Sequence, residues 1–226
     1  MPKYRLRPEE LALLAEVHAN PREDAPRLAH AAWLESNRNP RLAEFIRLHI
    51  DPNYRRYYEE YLHELAIKNR SSWLRSVPSD ITAKYSQARY FKGLPHLDVN
   101  CQWSQWPTLF SSLAEWLHPR CQVELFLYVT STSDLTPALA HPLMERIAWL
   151  HILSDRNPDH APEPRFMWEM RRLPLTVAQT EAVTEFPHFS RLHRLVFSDL
   201  TPEGEKIASA RIVPHVPTAV YGRTLS

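Results

Sequence analysis

A short pattern, apolar-x-x-apolar-x-apolar, recurs through the second half of the chain. It occurs as Leu94/Leu97/Val99, as Gln122/Leu125/Leu127 with a degraded first position, and as Ile147/Leu150/Ile152, Met170/Leu173/Leu175 and Leu192/Leu195/Phe197. The central leucines stand at 97, 125, 150, 173 and 195, giving steps of 28, 25, 23 and 22 residues. Leucine-rich repeats have a period of roughly 20–29 residues. Helix-compatible pieces lie between the leucines, at 109–117, 135–143, 177–186 and 203–209, and Val213/Val216 mark a sixth, failing unit. Each unit then reads as one strand plus one return helix, which buries its apolar face only by stacking on a neighbour. The expected fold class is therefore α/β: a short, degenerate leucine-rich-like solenoid with a parallel sheet. An ordinary α/β or α+β domain with evenly spaced strands fits the same spacing, and no asparagine ladder accompanies it. The proline- and acid-rich stretch at 154–164 reads as a surface loop.

Residues 8–76 carry a different period. Pro8 suits a first helical turn, and Glu9 and Glu10 suit the positive end of a helix. Leu11, Leu14 and Val17 with His18 give a core-facing stripe, which Asn20-Pro21 stops. Asp24 is placed to cap a second helix with Leu28, Ala31, Ala32 and Glu35 on one face and Trp33 and Leu34 adding bulk. After the 37–40 turn a third helix carries Leu42, Phe45, Ile46, His49 and Ile50, closed by Asp51-Pro52. A longer, more polar helix follows from Tyr54 to about Trp73, presenting Tyr57, Tyr61, Leu65 and the Leu62–Ala66 pair. The expectation is a small helical bundle with Trp33 and Phe45 packed on Leu14 and Leu28.

Several strings in this half have a family likeness. Asp24-Ala25-Pro26-Arg27-Leu28, Ala32-Trp33-Leu34-Glu35, Asn39-Pro40-Arg41 and Glu44-Phe45-Ile46-Arg47-Leu48 resemble the bacterial repeat-companion domain. The likeness is strong over about 11–50 and looser to about 100, through Trp73-Leu74 and Phe91-Lys92-Gly93-Leu94-Pro95. It implies a helical companion domain, residues 1–76, followed by leucine-rich-like repeats, residues 77–226. The chain departs from the family where Arg38 or Asn39 replaces a turn glycine and where Ala32 replaces the usual Asp before Trp.

Composition removes several classes of function. A chain of 226 residues with 44% hydrophobic and 23% charged residues has enough material for a core without metals or disulfides. Its three glycines, Gly93, Gly204 and Gly222, write no phosphate loop, dinucleotide fingerprint or nucleophile elbow. No apolar run approaches the roughly 18 residues of a membrane span. Residues 1–10 lack the apolar core of a secretory leader. A net charge of +1 argues against general nucleic-acid binding and against a charged membrane surface. Two cysteines set no disulfide framework, so a reducing cytoplasm is the expected location. No cofactor is implied.

The candidate sites follow from side-chain types. His96, Cys101, His118 and Cys121 would suit a tetrahedral metal, although their spacing matches no common zinc module and both cysteines flank strands as small hydrophobes. Trp103, Trp106 and Trp116, grouped on one turn and helix, read as a sugar- or base-stacking platform or as helix–sheet packing. The sheet alternation points elsewhere. If Leu97, Leu125, Leu150, Leu173 and Leu195 face the core, then Glu124, Phe126, Tyr128, Trp149, His151, Leu153, Arg172 and Arg194 share the opposite face. Aromatics there form either a partner-binding face or a surface covered by the N-terminal helices or the 154–164 loop. The expected function is a non-enzymatic protein-interaction module, a scaffold or accessory subunit of a larger complex that binds a protein. The alternative is a small metal-binding protein or enzyme using His96, Cys101, His118 and Cys121.

Overall fold

Prolines start the first three helices, because a first-turn proline lacks only an N–H that the helix would leave unpaired. They are α1 (Pro8–Ala19), α2 (Ala25–Ser36) and α3 (Pro40–Ile50). The computed structural model describes residues 6–37, 39–53, 59–73, 89–154, 174–216 and 219–221. Within them the chain continues as α4 (Glu59–Trp73), β1 (Arg89–Phe91), β2 (Leu94–Gln102), α5 (Trp106–Trp116) and β3 (Gln122–Val129). Then come α6 (Thr136–Leu139), β4 (Ile147–Ser154), α7 (Val177–Glu185), β5 (Arg194–Phe197), α8 (Pro202–Arg211) and β6 (Val220–Tyr221). Short 3-10 turns precede α5, β4 and β5. No described helix is long and apolar enough to cross a membrane.

Contacts divide the chain into two compact units, Met1–Asp98 with Ser112–Val123, and Val99–Ser111 with Glu124–Ser226. In the first unit Val17, Ala31, Leu34, Leu42, Ala43, Phe45, Ile46, Leu62, Leu65 and Leu94 form one core. The α2 stripe sits one residue earlier than its hydrophobicity suggests. Arg27, His30, Ala31 and Leu34 are buried, while Leu28 is 42% exposed and Trp33 is half-buried. Two polar residues occupy that stripe, each with one nitrogen engaged inside, while Arg27 Nε and Nη2 and His30 Nδ1 are buried without a hydrogen-bond partner among the described residues. Arg27 Nη1 donates to the Glu23 carbonyl (2.6 Å), and His30 Nε2 lies 3.1 Å from Glu10 Oε1. Burial pushes the Arg27 guanidinium down to about 10, against the pull of Asp24. Leu14 and Phe45 are buried as expected. On α4 the inward face is Leu62 and Leu65, and Tyr61 instead lies outside, its hydroxyl donating to Glu44 at 3.2 Å. Tyr54 and Tyr57 fall outside the described residues.

β1 turns into β2 through Lys92 and Gly93, with φ of +45° and +81° and Phe91 paired to Leu94. Two positive φ values are what a two-residue hairpin of type I′ requires. Gly93 lies against α3, where a Cβ would stand 2.3 Å from the Ile46 Cα.

The six strands form one sheet in chain order, β1 to β6. β1 is antiparallel to β2, whereas β4, β5 and β6 run parallel. The protein is thus a mixed α/β structure with N-terminal helices and a mostly parallel sheet. Leu150 pairs directly with Leu195, so two of the expected central positions share one register. No strand intervenes between them. Leu173 lies outside the described residues, and Leu175 forms an isolated parallel bridge to Leu200, its N–H donating to the Asp199 carbonyl at 2.9 Å. Of the expected strand only Pro174 and Leu175 are described, and Pro174, without an N–H, cannot serve a central ladder. The last strand is Val220–Tyr221, paired with Val196 and Phe197, rather than a unit at Val213/Val216. Val213 is 39% exposed in the turn after α8.

Candidate interaction face

Strand β3 alternates as a half-covered strand should. Leu125, Leu127 and Val129 are buried, while Glu124, Phe126 and Tyr128 are half-buried on the other side. β4 is covered on both faces except at Leu153, which is half-buried, so Trp149 and His151 are only 6% and 9% exposed. On β5 Arg194 is exposed and Val196 half-buried, and the register sets them beside Trp149 and His151.

The side chains engage one another across the strands. The Phe126 and His151 rings stack at 4.2 Å and 21°. His151 Nε2 lies 2.6 Å from Glu124 Oε1, within the range of a charge-assisted hydrogen bond. Tyr128 donates its hydroxyl to Asn100 Oδ1 at 3.4 Å. Trp149 meets the His193 ring edge-on at 5.3 Å. The structure therefore brings Glu124, Phe126, Tyr128, Trp149, His151, Leu153 and Arg194 to one side of the sheet, and Arg172 lies outside the described residues. Strand alternation also places Asn100 on this face, whereas His193 is a contact that residue type alone does not signal. The 25-residue step between Leu125 and Leu150 does place Phe126 level with His151, whereas the Glu124–His151 bond runs diagonally and has no such signal.

A histidine held by a carboxylate is also the orienting half of a catalytic triad. Here the other half is missing among the described residues, where His151 is engaged by Glu124 and Phe126 and by no hydroxyl or thiol. Ser198, farther along, accepts from the Ser154 N–H at 2.9 Å.

The cysteine–histidine set is not assembled. Cys101 and Cys121 are buried and outside any disulfide. Burial pushes the Cys101 thiol up to about 12, which leaves it protonated and a poor ligand or nucleophile. His118 Nδ1 accepts from the Arg120 N–H at 3.1 Å. Among the described residues, no group of three candidate ligand atoms within 4.8 Å of one another includes Cys101, His118 or Cys121.

No family model, no curated protein and no solved structure matches this chain.

Proposed function

We propose that this protein is a non-enzymatic interaction module: a repeat-companion domain joined to degenerate leucine-rich-like units that docks a protein partner on the outer face of its sheet. One observation carries this reading. Phe126 is stacked on His151, which Glu124 holds in place, and half-buried Tyr128, Leu153 and Val196 flank the pair. Aromatic side chains fixed before binding lose little entropy on contact, which is how a few residues come to dominate an interface. The in-register Leu150 and Leu195 support the repeat reading, as does the return of the chain through a helical element before each of β3, β4 and β5. The partner is a cytoplasmic protein, and the assembly is one in which this chain serves as scaffold or accessory subunit.

A photo-crosslinking residue at Leu153 tests the face, with one at Ile67, which is 62% exposed in the other unit, as control. The expected result is a discrete adduct in cells from Leu153 and none from Ile67. Phe126→Ala should then weaken the captured complex by about 2 kcal/mol, some thirtyfold, with melting nearly unchanged. Loss of folding in Phe126→Ala, or equal adducts from both positions, removes the interface.

A further inference from the structure

A second group of aromatic side chains lies in the segment that leads from β2 into α5. Trp103 and Trp106 are both half-buried, their ring centroids 5.7 Å apart and tilted by 37°. Trp106 meets Phe110 edge-on at 5.7 Å, and Phe110 in turn meets the His141 ring at 5.5 Å. Phe110 is fully buried, so half-buried Trp106 is braced against the core. Burial pushes His141 below the ordinary histidine value, and its Nδ1 accepts from the Leu143 N–H.

The surroundings of the two indoles have unusual chemistry for this chain. Between Asp98 and Glu115 no charged residue occurs, although 23% of the whole sequence is charged. Around the indoles the segment instead exposes Gln102, Ser104, Gln105 and Thr108. Two fixed aromatic planes rimmed by neutral amides and hydroxyls match one ligand chemistry closely. A pyranose ring has a C–H face that lies on an aromatic plane and an equatorial set of hydroxyls that both donate and accept. Amides and hydroxyls answer that set in both senses, whereas Lys, Arg, Asp or Glu would answer it in one. A single-stranded nucleic acid stacks on aromatics too, but its backbone calls for a cationic groove, which this segment lacks.

The geometry points to a binding site for a neutral oligosaccharide on the Trp103–Trp106 ledge, with the indoles as stacking planes and Gln102, Ser104 and Gln105 as hydroxyl partners. It is independent of the protein-docking face, since neither tryptophan belongs to that face.

The test uses the full chain and follows the indole N–H resonances of Trp103 and Trp106, assigned with Trp103→Phe and Trp106→Phe. The probes are maltohexaose, cellohexaose and chitohexaose. Binding should saturate with at least one probe, shift those two resonances first, and change little with added salt. Trp103→Ala should weaken it by about tenfold or more. Gln105→Ala, at an exposed position that does not touch the core, should weaken it severalfold with unchanged circular dichroism, which guards against a misfolded tryptophan variant. No shift from any of the three up to about 10 mM overturns the proposal, that being weaker than millimolar affinity. So does a saturable response at these indoles to decaproline, oligo-dT or phosphatidylcholine vesicles in place of the sugars.

Discussion

At Gly93 backbone and packing demand the same residue for two reasons. Its φ of +81° belongs to the region L side chains avoid, and an added Cβ would stand 2.3 Å from backbone of α3. The neighbour is a backbone atom, so relief requires moving a helix or the hairpin. Gly93→Ala should therefore lose about 3 kcal/mol or more of unfolding free energy in urea titration. A change under about 1 kcal/mol would mean the hairpin is not seated on α3 as described. Lys92, at the other positive φ, contributes through its side chain: Nζ donates to Asp24 Oδ1 (2.5 Å) and the Arg22 carbonyl (3.0 Å). The segments 24–28, 44–48 and 91–95 thus meet in space, with Asp24 gripping Lys92, Arg27 lying 5.8 Å from the Phe91 ring centre, and Ile46 under Gly93.

Glu10 is the second residue whose role its charge conceals. Burial pushes its carboxyl up, but hydrogen bonds from His30 and Arg120 and the Arg120 charge more than reverse this, leaving it below the ordinary 4.5. A carboxyl depressed in the folded state stabilises fully above its unfolded value, and the stabilisation is lost as pH falls through the folded one. The acid limb of the stability curve should thus fall below about pH 4.5 in the wild type. Glu10→Gln should lose about 2 kcal/mol near neutral pH and flatten that limb. An unchanged acid limb in Glu10→Gln would show that the Arg120 contact (2.7 Å) contributes nothing. A hydrophobicity stripe cannot anticipate this, because it scores Glu10, Arg27 and His30 as outward positions.

Among the elements, return helices were easier to read than strands. Pieces expected at 109–117, 177–186 and 203–209 appear as α5, α7 and α8, because a proline or a threonine cap marks each start: Pro107 in α5, Thr176 before α7, Thr201 and Pro202 at α8. At the described end of the strand expected at 170–175, Leu175 makes an isolated bridge. Spacing counts side chains, while a ladder needs N–H groups, and Pro174 has none. The sheet face was legible where the period of two held, as with Phe126 and His151, and less so at Trp149, where neighbours bury a residue that alternation alone would leave open. Gln179 is the tie that no pattern shows. Its Nε2 donates to the Thr130 and Ser133 carbonyls at 2.7 and 3.1 Å, and its Oε1 accepts from the Thr176 N–H as half of the α7 capping box. Gln179→Leu keeps the bulk but strands two carbonyls and an N–H, and should cost about 2–3 kcal/mol by thermal or urea unfolding. Glu181→Leu on the exposed side of the same helix should cost less than about 0.5 kcal/mol, and equal losses would reject the tie.

In the whole molecule, sheet order follows chain order, as expected when each return element carries the chain back to begin the next strand beside the last. Such a sheet has its most protected strand inside and its least protected at the ends. β4 is buried on both faces nearly throughout and pairs with β5 over Trp149 to Ile152, whereas β6 is two residues long and meets β5 at Val196 and Phe197. Opening β6 breaks the pairing of two residues, while opening β4 exposes Leu150, Ile152 and Trp149 together. Native-state hydrogen exchange should therefore find the amides of residues 149–152 among the slowest in the chain, opening near the global free energy. Those of Val220 and Tyr221 should exchange about a hundredfold faster or more, a gap of roughly 2.7 kcal/mol. Adding denaturant should close that gap from the β4 side, since global unfolding depends strongly on denaturant while the local opening of β6 depends on it weakly. If β4 instead exchanges as fast as β6, its double coverage does not persist in solution. Trp149 and His151 would then belong to an open surface, and the docking face would extend from Phe126 to Arg194 without a covered centre.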